Sequence, residues 1–215
     1  MKFLHLLTFA SFALAVPTAR QQTVSGTVSN AVGTLKSAVD ANVAAVTSAV
    51  AEVQGNVDAD VIVRVEGIIR ANLQAIVDAL LEATATIVGV TTGAAGGVAG
   101  AIVDLTQTQI ANLAAAILVA VQAILQITAV VTLTATDLTP AIQTAIEAEV
   151  DAITAAINPF VTPLAVLADA ISDASIVATV AIIGLRAALA ALLGVQAAAV
   201  TAIGAPTLTI PGVTP

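Results

Sequence analysis

The longest uncharged run in the chain lies between Asp104 and Asp137, and its apolar residues recur at steps of three and four. This spacing is the period of an amphipathic α-helix with one branched-aliphatic face. The amides in the run fall mostly on the opposite side: Gln109, Asn112, Gln122 and Gln126. Such a helix needs a large apolar partner, and the candidates are other helices of the chain, a lipid or an external hydrophobic surface.

The N-terminal half repeats this pattern twice. Valines at steps of three and four predict a helix over 24–54, although valine lowers helix propensity. The stripe over 58–88 is more regular, and it is accompanied by the acid-first pairs Asp60/Arg64 and Glu66/Arg70. The two helices are separated by a short turn, so we expect them to lie antiparallel.

Residues 89–100 are rich in glycine, which weakens a helix, and we expect a flexible connection there. The alternative is a close helix–helix contact in a membrane, because Gly93/Gly97 and Gly96/Gly100 have the G-x-x-x-G spacing. This spacing is common by chance, so we favour the connection.

Prolines divide the C-terminal half. Thr139-Pro140 is typical of a helix start, and Asn158-Pro159 predicts its end because proline removes a backbone donor. Thr162-Pro163 predicts another start, with a break near 172–175, and a last helix is expected over 175–203.

No stretch alternates between polar and apolar residues as a half-buried strand does. We therefore predict an all-α fold, an antiparallel bundle of five or six amphipathic helices in one domain over 24–204. A flexible N-terminus, 16–23, precedes this domain, and an extended C-terminal tail with three prolines, 205–215, follows it.

The first fifteen residues have the pattern of a secretory signal peptide: a lysine, a short apolar core and the small-x-small sequence Ala13-Leu14-Ala15. The apolar core is too short for a spanning helix. We expect residues 1–15 to be removed and the protein to be extracellular.

Removal of this peptide would leave a chain without Cys, His, Trp, Tyr or Met, and with Phe160 as its one aromatic residue. Such a chain offers no imidazole base, thiolate or usual zinc ligand, so we expect no enzyme, catalytic residue, cofactor or metal site. The acidic pairs Glu147/Asp151 and Asp169/Asp173 favour a solvated face over Ca²⁺ binding or acid–base chemistry. The formal net charge of −8 argues against a nucleic-acid partner.

Membrane spanning is the main competing interpretation. Segments 83–103, 105–136 and 175–203 are the most apolar, but they are rich in alanine, glycine and threonine. Gln122 and Gln126 would lie in mid-bilayer, and there are almost no aromatic or basic residues to anchor the helix ends. These features make spanning the less favoured interpretation.

Two segments resemble a known family: VSNAVGTLKSAVDANVAAVTSAV at 28–50 and VEGIIRANLQAIVDALLEAT at 65–84. Both are cysteine-free amphipathic segments rich in alanine and branched aliphatic residues. In this composition they are similar to fungal hydrophobic surface-binding proteins and the related cell-wall mannoproteins. The resemblance implies a secreted or wall-associated helical protein that adsorbs to hydrophobic surfaces or holds fatty acids between helices.

We therefore expect a non-enzymatic protein that binds a hydrophobic surface, lipid or fatty acid, with self-association as a further possibility. A closed structural cell-wall protein without a ligand and a small helical membrane protein are the alternatives. The candidate binding residues are the large aliphatics of the two most apolar helices: Ile110, Leu113, Ile117, Val121, Ile124, Leu125, Leu185, Leu189 and Leu192.

Overall fold

The computed structural model describes residues 23–54, 58–93, 97–102, 105–174 and 179–203, and within these ranges it contains six α-helices and no strand. The helices are α1 (Val24–Val53), α2 (Ala59–Gly93), α3 (Gly97–Ile102), α4 (Gln107–Asp137), α5 (Pro140–Ala174) and α6 (Val180–Ile203). The predicted all-α fold is confirmed. The predicted signal peptide, all but the last residue of the segment 16–23, and the tail 205–215 lie outside the described residues.

The five long helices form a ring in the order α1, α2, α5, α6, α4. Each packs along two neighbours, and the short helix α3 rests on α2 and α5. Helices α4 and α5 are consecutive in the chain but touch only slightly, because α6 packs against both of them. The helices therefore form a bundle, as predicted, and its core lies inside the ring.

Polar contacts show that α1 and α4 run parallel. The Ser25 hydroxyl donates to the Gln109 carbonyl at 3.1 Å at their first turns, and Gln54 Nε2 donates to Asp137 Oδ2 at 3.1 Å at their last. Between these two points the Gln126 side chain on α4 lies near Asp40 on α1 and helps to lower the pKa of its carboxyl. The sequential hairpin of α1 and α2 is antiparallel as expected, since Arg64 at the start of α2 pairs with Glu52 at the end of α1.

Threonine side chains define several helix starts. Thr23 accepts a hydrogen bond from the Gly26 amide, and Thr106 forms a reciprocal capping box with Gln109. Thr139 precedes Pro140, the first residue of α5, as the sequence predicted. Caps of this kind satisfy amides that have no partner within the helix.

The predicted apolar stripes point into the bundle. Val28, Val32, Leu35, Val39 and Val46 of α1 are buried, and the stripes of α2, α4 and α5 behave in the same way. Phe160 is fully buried. The helical period therefore outweighed the low propensity of the valines, because tertiary packing supplies most helix stability in proteins.

The predicted helix end at Asn158-Pro159 and restart at Thr162-Pro163 are wrong, since α5 continues through both prolines. The carbonyls that lose their donors belong to Ala155 and Pro159, and both residues are exposed. On the inner side Phe160 is completely buried and Leu164 nearly so, which favours continuity. Gln196 on α6 also donates to Asn158 Oδ1 at 2.8 Å.

The glycine-rich stretch is more helical than predicted. Helix α2 continues to Gly93, with Ile87 and Thr91 buried, and α3 begins at Gly97, whose φ of 63° favours glycine. A Cβ atom at Gly93 or Gly97 would meet nothing within 4 Å. In this structure, therefore, neither glycine serves a close helix–helix contact.

Substitutions at two adjacent residues of α4 test how much burial in the core contributes to stability. Ile124 is fully buried and Leu125 is 50% exposed. We expect Ile124→Ala to lower the free energy of unfolding by about 2–5 kcal/mol, because it removes buried methyl groups and leaves a cavity. We expect Leu125→Ala to change it by less than about 0.5 kcal/mol. Urea unfolding followed by circular dichroism measures both, and equal effects would contradict the assigned burial.

The surroundings of Asp40 on α1 predict a pH dependence of stability. Hydrogen bonds from Lys36 and Gln126 lower the pKa of Asp40 below its usual value. A carboxyl with a lowered folded-state pKa contributes stability above its unfolded-state pKa, and this contribution is lost as the pH falls through the folded-state value. Between about pH 5 and 2, Asp40→Asn and Lys36→Met should each weaken the pH dependence of the unfolding free energy. Unchanged slopes in both variants would contradict this account.

Candidate functional site

Eight of the nine candidate binding residues lie in the core. Leu113, Ile117, Ile124, Leu185 and Leu192 are almost completely buried, and Ile110, Val121 and Leu189 are no more than 9% exposed. Their aliphatic faces are used for packing within the bundle. In this closed form Leu125 is the candidate that reaches the surface.

The outward sides of α4 and α6 carry no charge along most of their length. We call this surface the uncharged face. On α4 it comprises Ala111, Ala115, Leu118, Gln122, Leu125, Ala129 and Thr132. On α6 it comprises Val180, Ile183, Ala187, Ala190, Gly194 and Ala197. The two stripes adjoin because α4 and α6 pack side by side.

Large aliphatic side chains protrude from this face. Leu118 is 48% exposed, Ile183 is 59% exposed and Val180 is 87% exposed, and the remaining residues are mostly small. The α4 stripe from Ala111 to Thr132 extends over about 32 Å at the usual helical rise. The result is a long, smooth surface with few groups that bind water strongly.

Charged residues are concentrated elsewhere, on α1, α2 and α5. Within α4 the one charged residue is the terminal Asp137, and within α6 it is Arg186. The Arg186 guanidinium donates to the Ser172 carbonyl at 3.2 Å, so it caps the end of α5. The molecule thus has an uncharged side and a mostly acidic side.

Ion pairs connect the charged helices. Arg64, predicted to pair with Asp60, instead pairs with Glu52, and this contact lowers the pKa of Glu52. The predicted Glu66–Arg70 pair is present at 3.2 Å. Arg70 also approaches Glu149 on α5 at 3.4 Å. The Arg64–Glu52 pair is exposed and contributes little stability. Together the three pairs concentrate charge on the α2 side.

Helix α2 also exposes aliphatic side chains, but in a different setting. Leu81 is 50% exposed, and its neighbours Asp78 and Glu82 are exposed carboxylates. Val63 is 69% exposed next to Arg64. An apolar surface placed against this side would desolvate charges, which is costly. The uncharged face carries no such penalty.

Clefts between described helices lie at the α1–α2, α1–α4 and α4–α5 boundaries. The α4–α5 cleft has a volume of about 260 Å³ and a mainly apolar lining. Its lining includes Val131, Thr134, Ala135, Ile146, Glu147 and Val150. Among the described residues no group of three or more Asp, Glu, His or Cys side chains is placed to hold a metal ion.

Among the described helices four are long and apolar enough to cross a membrane, judged by length and composition: α2, α4, α5 and α6. Two of them, α4 and α6, correspond to segments that the sequence singled out. Within the structure α4 and α5 bury about half of their most apolar windows, 56% and 50%. These helices therefore already have apolar partners inside the bundle.

Comparison with known proteins adds no relative to this description. No family model, no curated protein and no solved structure matches the chain.

Proposed function

We propose that this is a secreted, non-enzymatic helical protein that binds hydrophobic surfaces or lipids through the uncharged face. The observation that carries the proposal is the uncharged face of α4 and α6, from which Leu118, Leu125, Val180 and Ile183 protrude and beside which Arg186 is the one charged residue of α6. Contiguous apolar patches on soluble proteins commonly mark interaction sites.

The two sides of the bundle have complementary roles in this proposal. Transfer of apolar surface out of water is favourable by roughly 25 cal/mol per Å², so an oily partner is attracted to the uncharged face. The acidic residues on α1, α2 and α5 remain hydrated when α4 and α6 lie on the surface. This arrangement would orient the adsorbed molecule without unfolding it.

Opening of the bundle is a second way to bind lipid, because it would expose the eight buried candidate residues. The closed form is favoured by polar contacts across the α1–α4 boundary, which include Ser25 to Gln109 and Gln54 to Asp137. Adsorption through the uncharged face needs none of these contacts to break. We therefore propose binding by the closed bundle.

An extracellular location, possible cell-wall association and the resemblance to fungal hydrophobic surface-binding proteins remain part of the proposal. They rest on the signal-peptide pattern of residues 1–15 and on the amphipathic, cysteine-free composition of residues 28–50 and 65–84. A ligand-free wall protein is the runner-up, and it would ignore hydrophobic surfaces altogether.

A membrane protein is the other candidate, favoured by the four helices of sufficient length and hydropathy. In that case the protein would resist extraction from membranes by alkaline carbonate. Recovery of a helical monomer in detergent-free buffer would exclude this candidate and leave surface binding intact.

Two leucines with equal exposure provide the test. Leu125 on the uncharged face and Leu81 on α2 are each 50% exposed. We expect Leu125→Glu to reduce adsorption to hydrophobic beads or neutral lipid vesicles about tenfold or more, because a desolvated carboxylate opposes contact. Adsorption isotherms of the folded variants, checked by circular dichroism, measure this effect.

Leu81→Glu is the matched control, because it adds the same charge to a side that is already acidic. Its adsorption should stay within about twofold of the parent protein, a difference of about 0.4 kcal/mol. Equal loss in both variants would show that net charge, and not the uncharged face, governs adsorption. Absence of adsorption by the parent would favour the ligand-free wall protein.

A further inference from the structure

The α4–α5 cleft lies where two helices that follow each other in the chain touch only slightly. The last turns of α4 face the first turns of α5 across a volume of about 260 Å³. Val131, Ile146 and Val150 contribute aliphatic surface to its lining. Because Val131 and Ile146 are almost completely buried, the floor of the cleft is apolar.

The polar side chains of the lining have already used their hydrogen-bond donors. The Thr134 hydroxyl, which belongs to a residue only 1% exposed, donates to the Val131 carbonyl at 2.8 Å. Gln143 Nε2 donates to the Ala135 and Leu138 carbonyls at 2.7 and 2.9 Å, so both of its amide hydrogens are engaged. What these two side chains still offer a ligand is the acceptor capacity of their oxygens.

The outer part of the lining has the same character. The Thr144 hydroxyl donates to the Pro140 carbonyl at 3.0 Å. The Gln143 backbone amide donates to the Thr139 carbonyl, so the free amides at the start of α5 precede the cleft. Glu147 contributes a carboxylate, which accepts hydrogen bonds only. The described lining therefore offers acceptors and a negative charge but no free side-chain donor.

No basic side chain of the described helices neutralises this negative charge. Glu147 is in none of their ion pairs, and Asp151, one turn further along α5, is also exposed. Arg70 donates to the Ala145 carbonyl and approaches Glu149, on the side of α5 that packs against α2. A cation at the cleft would thus meet an unpaired carboxylate beside an apolar floor.

We propose that the α4–α5 cleft binds a primary alkylammonium compound, with its ammonium group at Glu147 and its chain along Val131, Ile146 and Val150. A primary ammonium donates three hydrogen bonds and accepts none, which complements a lining of acceptors. From Gln143 to Val150 the cleft extends about 10 Å along α5. A chain of about eight carbons covers this length at roughly 1.2 Å per extended bond.

Other head groups fit this lining less well. A carboxylate or phosphate would find no donor and would be repelled by Glu147, and an alcohol would leave that carboxylate without a counter-charge. The α1–α2 cleft, which is lined by Glu82, differs because Asn30 adds amide donors to it. None of the residues that line the α4–α5 cleft belongs to the uncharged face, so the two sites can be tested separately.

Titration of the full isotopically labelled chain with octylammonium, followed by amide NMR shifts, tests the proposal. Octanoate and octan-1-ol have the same alkyl chain and a different head group. We expect octylammonium to shift the amides of residues 131–135 and 143–150 and to bind at least about tenfold more tightly than octanoate. Affinity equal to that of either comparison compound, or shifts confined to the uncharged face, would overturn the proposal.

A charge variant with a matched control excludes a general attraction of cations to an acidic protein. Glu147→Gln should weaken octylammonium binding about fivefold, because it removes the charge that pairs with the ammonium. Glu82→Gln removes the same charge from α2 and should change binding less than about twofold, since distant exposed charges are screened. Equal losses in the two variants would contradict a specific site.

The apolar part of the site has its own pair of variants. Ala135→Leu places a larger side chain in the cleft and should weaken octylammonium binding as strongly as Glu147→Gln. Ala148→Leu adds the same side chain to an exposed position of α5 outside the lining, and binding should be unchanged. Circular dichroism checks that both variants are folded. Unchanged binding by folded Ala135→Leu would show that the chain does not occupy the cleft.

Discussion

Burial of branched aliphatic side chains is the interaction on which the rest of this structure depends. The chain has no cysteine for a disulfide, and Phe160 is the one aromatic residue of the described helices. Valine, isoleucine and leucine stripes must therefore supply almost the whole core. Helices α4 and α5 each contribute many of these buried aliphatic residues, and α4 packs against α1 on one side and α6 on the other.

Polar contacts determine how neighbouring helices are aligned, which apolar burial alone does not specify. Aliphatic stripes would tolerate several offsets between neighbouring helices, since one turn of slippage presents a similar surface. The bond from Ser25 to the Gln109 carbonyl and that from Gln54 to Asp137 are satisfied at one offset of α1 and α4. The buried Gln196 plays the corresponding part between α5 and α6. A few polar groups thus select one offset between neighbouring helices that are otherwise held together by apolar contacts.

The helical stripes were predictable because their period is a local property of the sequence. Val28, Val32 and Leu35 show the same spacing whatever they pack against. The path of α5 was not predictable from Pro159, because local rules count the lost hydrogen bond but not the burial of Phe160 and Val161 beside it. For the same reason α2 continued into glycines, where the inward-facing Thr91 is buried.

The candidate site was less predictable than the fold. Ile124 and Leu125 are equally apolar and adjacent, and only the positions of α1 and α6 decide which of them enters the core. The sequence directed attention to the strongest aliphatic positions, which are also the best core residues. A better signal was the complementary side of α4, where alanine, glutamine and two leucines replace the charges that normally cover a solvent-facing helix.

If the protein adsorbs as proposed, the separation of charge between its two sides has a consequence for the layer that it would form. Molecules resting on α4 and α6 would turn α1 and α2 outward, with Asp40, Glu52, Asp78 and Glu82 facing the liquid. A waxy or oily layer would then become wettable, and covered particles would repel one another through their shared negative sign.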